Sequence, residues 1–185
     1  MNNFELGILD FIQDTFKCKF LDGAMPIISR LALGGTLWIA ITALFLLGKK
    51  TRRAGLSMTI ALIIGFVIGN IFLKNAVGRI RPYDINTDFA RIISAARDYS
   101  FPSTHTLYSF SGAVCIFLRN KKWGIVALVL ASLIAFSRLY LYVNYPTDIL
   151  AGILLGILFA FAGTLFADKF FGKLKNPKQK INTEP

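Results

Sequence analysis

The stretch ILAGILLGILFAFAGTLFA, residues 149–167, contains no charged side chain and decides the fold. Its length is close to the ~20 apolar residues that an α-helix needs to cross the hydrocarbon core of a bilayer. Four further apolar runs precede it along the chain, at residues 26–47, 54–73, 104–118 and 123–142. The sequence therefore predicts an all-α integral membrane helical bundle with about five transmembrane spans.

The overall composition agrees with a membrane protein. Of the 185 residues, 55% are hydrophobic and 17% are charged, and the mean hydropathy is +0.57. A soluble domain of this length cannot bury so much apolar surface, and a disordered chain requires low hydrophobicity. The two cysteines and the single histidine exclude a disulfide framework and a multi-histidine metal site.

An amphipathic helix is predicted before the first span. The apolar residues there recur at helical spacing: Phe4, Ile8, Phe11, Ile12 and Phe16. This pattern is typical of a helix that lies on the membrane surface, and equally of a short helix packed on the bundle. Counting this helix, the bundle has five or six helices. We divide the chain into an interfacial helix at 1–20, a membrane bundle at 21–168 and a basic tail at 169–185.

The net charge of +11 is concentrated in three groups of basic residues. They lie between spans one and two, between spans three and four, and after span five: Lys49, Lys50, Arg52 and Arg53; Arg119, Lys121 and Lys122; Lys169, Lys173, Lys175, Lys178 and Lys180. With five spans, all three groups fall on one side, which the positive-inside rule makes cytoplasmic. Membrane topology thus explains the charge, and no nucleic-acid partner is expected. We expect a multi-pass protein of the cell membrane.

A smaller set of cations lies at the opposite, outward-facing ends of the spans. Lys74 and Arg81 are seven residues apart, which is two helical turns, so they share a face of a helix that Pro82 then ends. Arg138 comes from another helix. Charge at membrane depth is expensive and usually functional. Three converging cations predict a site for a multiply charged anion such as phosphate, and snorkelling to lipid head groups is the alternative.

The segment FPSTH, residues 101–105, opens the third span. Ser103 is placed as an N-cap, so the free N–H groups of the following residues and the helix dipole favour an anion there. His105 lies one residue inside this opening, where an imidazole can protonate a departing oxygen. A structural histidine, bonded to a neighbouring helix, is the alternative.

Asn144, Pro146 and Asp148 open the fifth span. Pro146 suits the first helical turn, Asn144 is a plausible N-cap, and Asp148 is an acid favoured by the helix dipole. From the residues alone we prefer this purely structural interpretation.

Taken in order, these residues resemble the signature of a known family. The motifs are Lys74, six residues and Arg81-Pro82; then Pro102-Ser103-Thr104-His105; then Ser137-Arg138, five residues, Asn144, three residues and Asp148. This pattern is similar to that of the type-2 phosphatidic acid phosphatase superfamily, lipid phosphate phosphatases related to vanadium haloperoxidases. The resemblance covers residues 20 to 168.

The resemblance implies a role for each motif residue. Phosphate oxygens would be held by Lys74, Arg81, Ser103, Thr104 and Arg138. His105 would be the acid for the leaving group, and Asp148 would orient a second histidine that attacks phosphorus to give a phosphohistidine. No metal and no cofactor are implied, and the partner is a phosphorylated membrane lipid at the outer leaflet.

Two residues depart from the family pattern. Thr104 stands where the family usually has glycine, and Asn144 occupies the place of the attacking histidine. A carboxamide is not a useful nucleophile toward phosphorus, and His105 is the one histidine in the chain. We therefore expect an impaired metal-independent phosphatase acting on undecaprenyl diphosphate or phosphatidylglycerol phosphate, either an inactivated variant or a natural non-turning-over member. A non-catalytic lipid-phosphate binder is the alternative.

Overall fold

The computed structural model describes residues 3–86, 92–93 and 98–175. Within these ranges the regular secondary structure is helical, as the sequence predicts. The helices are α1 (Asn3–Phe16), α2 (Lys19–Leu31), α3 (Thr36–Leu47), α4 (Arg52–Ile64), α5 (Lys74–Val77), α6 (Pro82–Ile85), α7 (Thr104–Arg119), α8 (Lys121–Tyr140) and α9 (Pro146–Lys175). A 3₁₀ turn (Leu33–Gly35) joins α2 to α3, and a π-helical segment (Gly65–Leu73) joins α4 to α5.

Four helical segments in the described ranges are long and apolar enough to cross a membrane. They are Lys19–Leu47, Arg52–Ile85, Lys121–Tyr140 and Pro146–Gly172. The 16-residue α7 falls short of that length, as expected for the short third run. It is surrounded by α4, α8 and α9, and most of its side chains are buried. The shortest of the five predicted runs is therefore the central helix of the bundle.

Glycines allow the neighbouring helices to approach α7 closely. A Cβ at Gly65 or Gly69 would lie 2.6 or 2.7 Å from a methyl group of Leu107, and a Cβ at Gly156 would lie 2.7 Å from the Leu107 carbonyl oxygen. These separations are far below van der Waals contact. The glycines of the two spans therefore serve packing within the bundle.

The first predicted span is broken in its middle. Gly34 and Gly35 have φ angles of 59° and 78°, a left-handed conformation that glycine adopts without a steric penalty. Helix α2 ends before this pair and α3 begins after it. The uninterrupted run from 26 to 47 is therefore two helices, and the break faces the cavity described below.

The second span also ends differently from the prediction. Helix α5 stops at Val77, and Gly78 follows with a φ of 58°. Arg81 has an extended backbone and precedes α6, whose first residue is Pro82. The expectation that Lys74 and Arg81 share one helical face was wrong, because a left-handed turn separates them.

Helix α1 packs one face against the bundle. Glu5, Leu9, Ile12 and Gln13 are buried, and the side-chain amide of Gln13 donates to the backbone oxygen of Tyr140. Phe4 and Phe11 on the opposite face are exposed, whereas the partly exposed ring of Phe16 packs against Phe136 of α8 with 5.8 Å between ring centres. Bundle packing therefore accounts for the inner face of this amphipathic helix.

Helix α9 continues beyond the predicted end of the last span. It reaches Lys175, so residues 169–175 of the expected tail are helical. Residues 176–185 lie outside the described part of the chain, as do residues 87–91 and 94–97 of the loop that follows α6.

Candidate active site

A polar cavity of about 350 Å³ lies at the end of the bundle where α7 begins. Its walls come from α2, the 3₁₀ turn, the π-helical segment, the loop before α7, and the facing ends of α7 and α8. The lining residues are Ser29, Arg30, Leu33, Gly34, Phe66, Asn70, Arg81, Asp98, Thr104, His105, Tyr108 and Arg138. Three sequence motifs therefore meet around one space.

Lys74 and Arg81 converge on a single carboxylate. The Nζ of Lys74 donates to Oδ2 of Asp98, and Nη2 of Arg81 lies 2.6 Å from Oδ1 of the same group. Both cations are almost fully buried, with 3% and 4% of their surface exposed. The turn at Gly78 thus brings together the two cations that a continuous helix was expected to align.

Asp98 is held ionised by these two cations. Burial alone would raise its pKa, but the hydrogen bonds and charges of Lys74 and Arg81 outweigh burial and lower the pKa to about 2. The carboxylate lies where two charged donors point at one pair of oxygens, which is how proteins grip a phosphate group. Asp98 therefore marks a position in this cavity where two buried cations hold one negatively charged group.

Arg138 provides a third buried cation. Its Nη1 donates to Oγ of Ser29 at 2.6 Å, and its Nε donates to Oδ1 of Asn144 at 3.2 Å. These two bonds fix the plane of the guanidinium group while it lines the cavity with Arg81. The side chain is positioned by α2 and by the turn before α9, so its orientation does not depend on a ligand.

The start of α7 forms one wall of the cavity. Ser103 precedes the helix, as predicted for an N-cap, but its Oγ lies 3.0 Å from Oγ1 of Thr106 and accepts no bond from the helix backbone. Ser103 therefore occupies the predicted N-cap position without a side-chain bond to the helix backbone. Thr104 and His105 both line the cavity. Within the described ranges no hydrogen bond holds the imidazole of His105, so it is available to a bound ligand.

Both the oxygen and the nitrogen of the Asn144 carboxamide form hydrogen bonds within the protein. Its Nδ2 donates to the backbone oxygen of Ser100 at 2.7 Å and to Oγ of Ser100 at 3.3 Å, while its Oδ1 accepts from Arg138. The predicted N-cap role is wrong, because the amide turns away from the start of α9. The direct bond to Asp148 expected from the family resemblance is replaced by a relay, in which Ser100 Oγ donates to Asp148 Oδ2.

Asp148 is fully buried at the start of α9 and accepts hydrogen bonds on both oxygens. Its Oδ2 accepts from the backbone N–H of Tyr145 at 2.8 Å, and its Oδ1 accepts from Nη1 of Arg79 at 2.7 Å. The structural interpretation of an acid in the first helical turn therefore holds. The same carboxylate is also linked to Asn144 by two successive hydrogen bonds through the hydroxyl group of Ser100.

Arg79 links this carboxylate to the N-terminal helix. Its Nη2 donates to Glu5, and its guanidinium group stacks 3.8 Å from the ring centre of Tyr145. Glu5 in turn accepts from the backbone N–H and Oγ1 of Thr147, at 3.2 and 2.6 Å. Burial alone would raise the pKa of Glu5, but the bonds from Thr147 and Arg79 lower it below its usual value. Helix α1 is thus connected by hydrogen bonds and ion pairs to Thr147 and Asp148 at the start of α9.

The sequence analysis assigned no role in the site to five residues of this network: Glu5, Ser29, Arg79, Asp98 and Ser100. Of these five residues, Arg79 alone has a neighbouring sequence that points to the site, because it is a further cation at the end of an apolar span, two residues before Arg81. In the described residues, no group of three or more histidine, cysteine, aspartate or glutamate side chains could hold a metal ion.

The fold and the cavity define a class, namely a helical membrane protein with buried cations around a cavity at one end. A family model described as the PAP2 superfamily matches residues 50–171. Since this match spans more than half of the chain, the protein belongs to the PAP2 superfamily. The family resemblance of the three motifs is thereby confirmed.

Individual relatives agree with this assignment. A protein named undecaprenyl-diphosphatase from Sulfolobus acidocaldarius is 34% identical over 142 residues, which are 76% of this chain and 68% of that protein. The crystal structure of a transmembrane PAP2-type phosphatidylglycerolphosphate phosphatase from Bacillus subtilis is 26% identical, with a TM-score of 0.70 over 91% of this chain and 88% of that one. The crystal structure of Aquifex aeolicus LpxE, 21% identical, shares the fold with a TM-score of 0.78 over 88% of this chain and 95% of that one.

Proposed function

We propose that the cavity binds the phosphorylated head group of a membrane lipid. The observation that carries this proposal is the shared grip of Lys74 and Arg81 on the Asp98 carboxylate, with Arg138 lining the same cavity. A substrate phosphate would take the place of that carboxylate. It would add bonds to Arg138 and to the backbone N–H groups at the start of α7, where the helix dipole favours an anion.

The parent reaction is hydrolysis of a phosphate ester or anhydride without a metal ion. In that reaction His105 gives a proton to the lipid oxygen that leaves, while a nucleophile at position 144 takes the phosphoryl group and water then releases it. Lys74, Arg81 and Arg138 stabilise the charge on the phosphoryl oxygens in the transition state. In a PAP2 phosphatase with this geometry, Asp148 orients the nucleophile at position 144 through the hydroxyl group of Ser100.

Asn144 impairs the nucleophilic step in this chain. A carboxamide nitrogen has no lone pair available for attack, and both ends of this carboxamide already bond Ser100 and Arg138. The remaining machinery is in place around it. We therefore propose that the chain binds its lipid and turns it over slowly.

Undecaprenyl diphosphate is the favoured substrate, and phosphatidylglycerol phosphate is the close second. The names of the Sulfolobus acidocaldarius relative and the Bacillus subtilis structure support these two classes. The basic groups at the other end of the bundle favour an outward-facing cavity in the plasma membrane, because such groups mark the cytoplasmic side of multi-pass proteins.

Phosphate release from both lipids in detergent tests the proposal. The Asn144→His variant is expected to be faster than the parent chain by about two orders of magnitude or more, because a nucleophile is restored. Asn144→Gln keeps the carboxamide and is the matched control, with no gain expected. A histidine variant no faster than the glutamine variant would refute the role given to position 144.

A non-catalytic lipid-phosphate binder is the second candidate. It is favoured by the carboxamide of Asn144, whose oxygen and nitrogen are both already hydrogen-bonded within the protein. It predicts that Asn144→His stays inactive while both proteins still bind the lipid. Lipid binding measured on the same two preparations separates the candidates.

A further inference from the structure

A second cavity lies at the opposite end of the bundle from the candidate active site. It has a volume of about 410 Å³ and lies where α3 ends, α4 begins, and α7 turns into α8. Helix α7 separates the two cavities, and its 16 residues span about 24 Å. One head group cannot reach both cavities, so this one is not part of the active site.

Three cations line this cavity and no acid does. They are Lys50, Arg53 and Arg119. Arg119 is paired with Asp168, with 2.7 Å between Nη2 and Oδ1. Across the described ranges Lys50 and Arg53 have no carboxylate partner, although the guanidinium group of Arg53 also stacks over the ring of Phe171 at 5.3 Å. The cavity therefore carries uncompensated positive charge.

Arg119 also presents a hydrogen-bond donor that the protein does not satisfy. Its Nε is buried and has no partner within the described part of the chain, while its Nη2 contacts Asp168 and Ser57. Buried donors without a partner are rare in native structures and call for an acceptor. An anionic group in the cavity would supply one.

The basic cavity continues into an apolar groove. A neighbouring cavity of about 400 Å³ shares four of its lining residues, Phe45, Thr51, Ile116 and Trp123. The groove then follows α8 from Trp123 to Leu130, a rise of about 10 Å. Its floor is Trp38 and Ala127, and its lining is almost entirely carbon. A groove of this kind at membrane depth suits a hydrocarbon chain.

We propose that this second cavity and its groove bind an anionic phospholipid. The phosphate and acidic head group lie among Lys50, Arg53 and Arg119, and one acyl chain lies in the groove between α3 and α8. Basic cavities between transmembrane helices are known to hold anionic head groups. The aromatic ring of Trp123 lies at the junction, which is the usual depth for tryptophan at the boundary between head groups and hydrocarbon.

Native mass spectrometry of the detergent-purified chain tests this assignment. Phosphatidylglycerol is expected to remain bound, and phosphatidylcholine of the same acyl composition is expected to bind about tenfold more weakly. Equal retention of both lipids would overturn the proposal, because the groove alone would then account for binding. Inorganic phosphate should not displace phosphatidylglycerol at a matched concentration, and full displacement would also overturn it.

Charge variants locate the lipid. Lys50→Gln/Arg53→Gln is expected to lower phosphatidylglycerol retention about tenfold, and Lys50→Arg/Arg53→Lys to keep it. The matched control Lys49→Gln/Lys122→Gln removes two exposed charges at the same end of the bundle and outside the cavity lining, and it should retain the lipid. An equal loss in the control would show a diffuse basic surface and refute the site.

A variant in the active-site cavity separates this proposal from the proposed function. Arg81→Ala is expected to leave phosphatidylglycerol retention unchanged. Loss of the lipid in that variant would place it in the active-site cavity and overturn the second site. The Lys50 and Arg53 variants leave that cavity untouched, so failure of this proposal has no bearing on the phosphatase assignment.

Discussion

Oδ1 of Asp98 lies 2.6 Å from Nη2 of Arg81, so a carboxylate of the protein occupies the position proposed above for a phosphate group. Asp98 reaches this position from the loop before α7, and its side chain is 49% exposed. An incoming anion therefore competes with a group that can swing away into solvent.

Asp98→Asn is expected to tighten binding of an oxyanion such as tungstate. The neutral amide competes less well for Lys74 and Arg81, and because a half-exposed ion pair contributes at most about 1 kcal/mol, the expected gain is roughly two- to fivefold. Isothermal titration calorimetry in detergent measures it. Asp84→Asn, on the neighbouring helix α6, is the control and should have no effect; weaker binding in Asp98→Asn would mean that Asp98 helps to hold the anion.

The same pairing predicts a flat pH response. The pKa of Asp98 is lowered to about 2, so the stability that its ion pairs with Lys74 and Arg81 contribute is complete above the ordinary aspartate pKa of 3.8. That contribution is lost only as the pH falls through about 2. The difference in tungstate affinity between the parent chain and Asp98→Asn should therefore be constant from pH 5 to pH 8. A difference that shrinks toward pH 5 would mean that Asp98 is not held as an ion.

Arg138→Met is expected to weaken tungstate binding by roughly 10- to 100-fold, since a hydrogen bond to a charged group contributes about 1.5–3 kcal/mol. Arg138→Lys should restore only part of the affinity, because arginine bonds Ser29 and Asn144 from two separate nitrogens of a planar group, and a single ammonium nitrogen lacks that geometry. Arg30→Met removes an exposed arginine from the same cavity and is the control, with a change below about threefold. Equal effects at both positions would argue against a buried anion site.

Arg79→Gln is expected to destabilise the bundle by about 3–5 kcal/mol, because Glu5 and Asp148 would remain buried without their cation. Glu5→Gln/Arg79→Gln should be less destabilised than Arg79→Gln alone, since one of the two unpaired carboxylates is removed. Thermal unfolding in detergent measures both. If the double variant is the less stable of the two, Glu5 and Arg79 do not act as a pair.

Gly156→Ala is expected to lower stability by about 1–3 kcal/mol, because its Cβ would lie 2.7 Å from a backbone oxygen of α7 that cannot move aside. Gly172→Ala, on the same helix, meets no atom within 4 Å and should be neutral or slightly stabilising. The pair separates packing from helix propensity in one measurement of the unfolding temperature. Similar shifts for both variants would refute the packing argument.

Local patterns in the sequence predicted the helical class, the short third run and four of the residues that line the cavity, namely Arg81, Thr104, His105 and Arg138. Apolar runs, a basic group at a helix end and a Pro-Ser-Thr-His segment are all features of neighbouring residues. Convergence of Lys74 and Arg81 was predicted through a continuous helix, whereas the structure achieves it through the turn at Gly78. The spacing of seven residues gave the right pair for the wrong geometric reason.

The remaining parts of the site depend on contacts between distant residues. Arg79 bonds Glu5 across 74 positions and Asp148 across 69. No periodicity connects such residues, because the contact exists only after the helices have packed. Ser100 escaped notice for the same reason, since a serine in a polar loop is ordinary until its neighbours Asn144 and Asp148 are known.

The contact between Glu5 and Thr147 bears on how the protein is made. Its two members are 142 positions apart, so Glu5 leaves the ribosome long before its partner exists. Until the last hydrophobic segment has been inserted, the acidic group at the front of the polypeptide lacks its final ligands. Attachment of the N-terminal helix to the start of the last helix is therefore a late event in biogenesis, and chains that terminate before Thr147 would lack it.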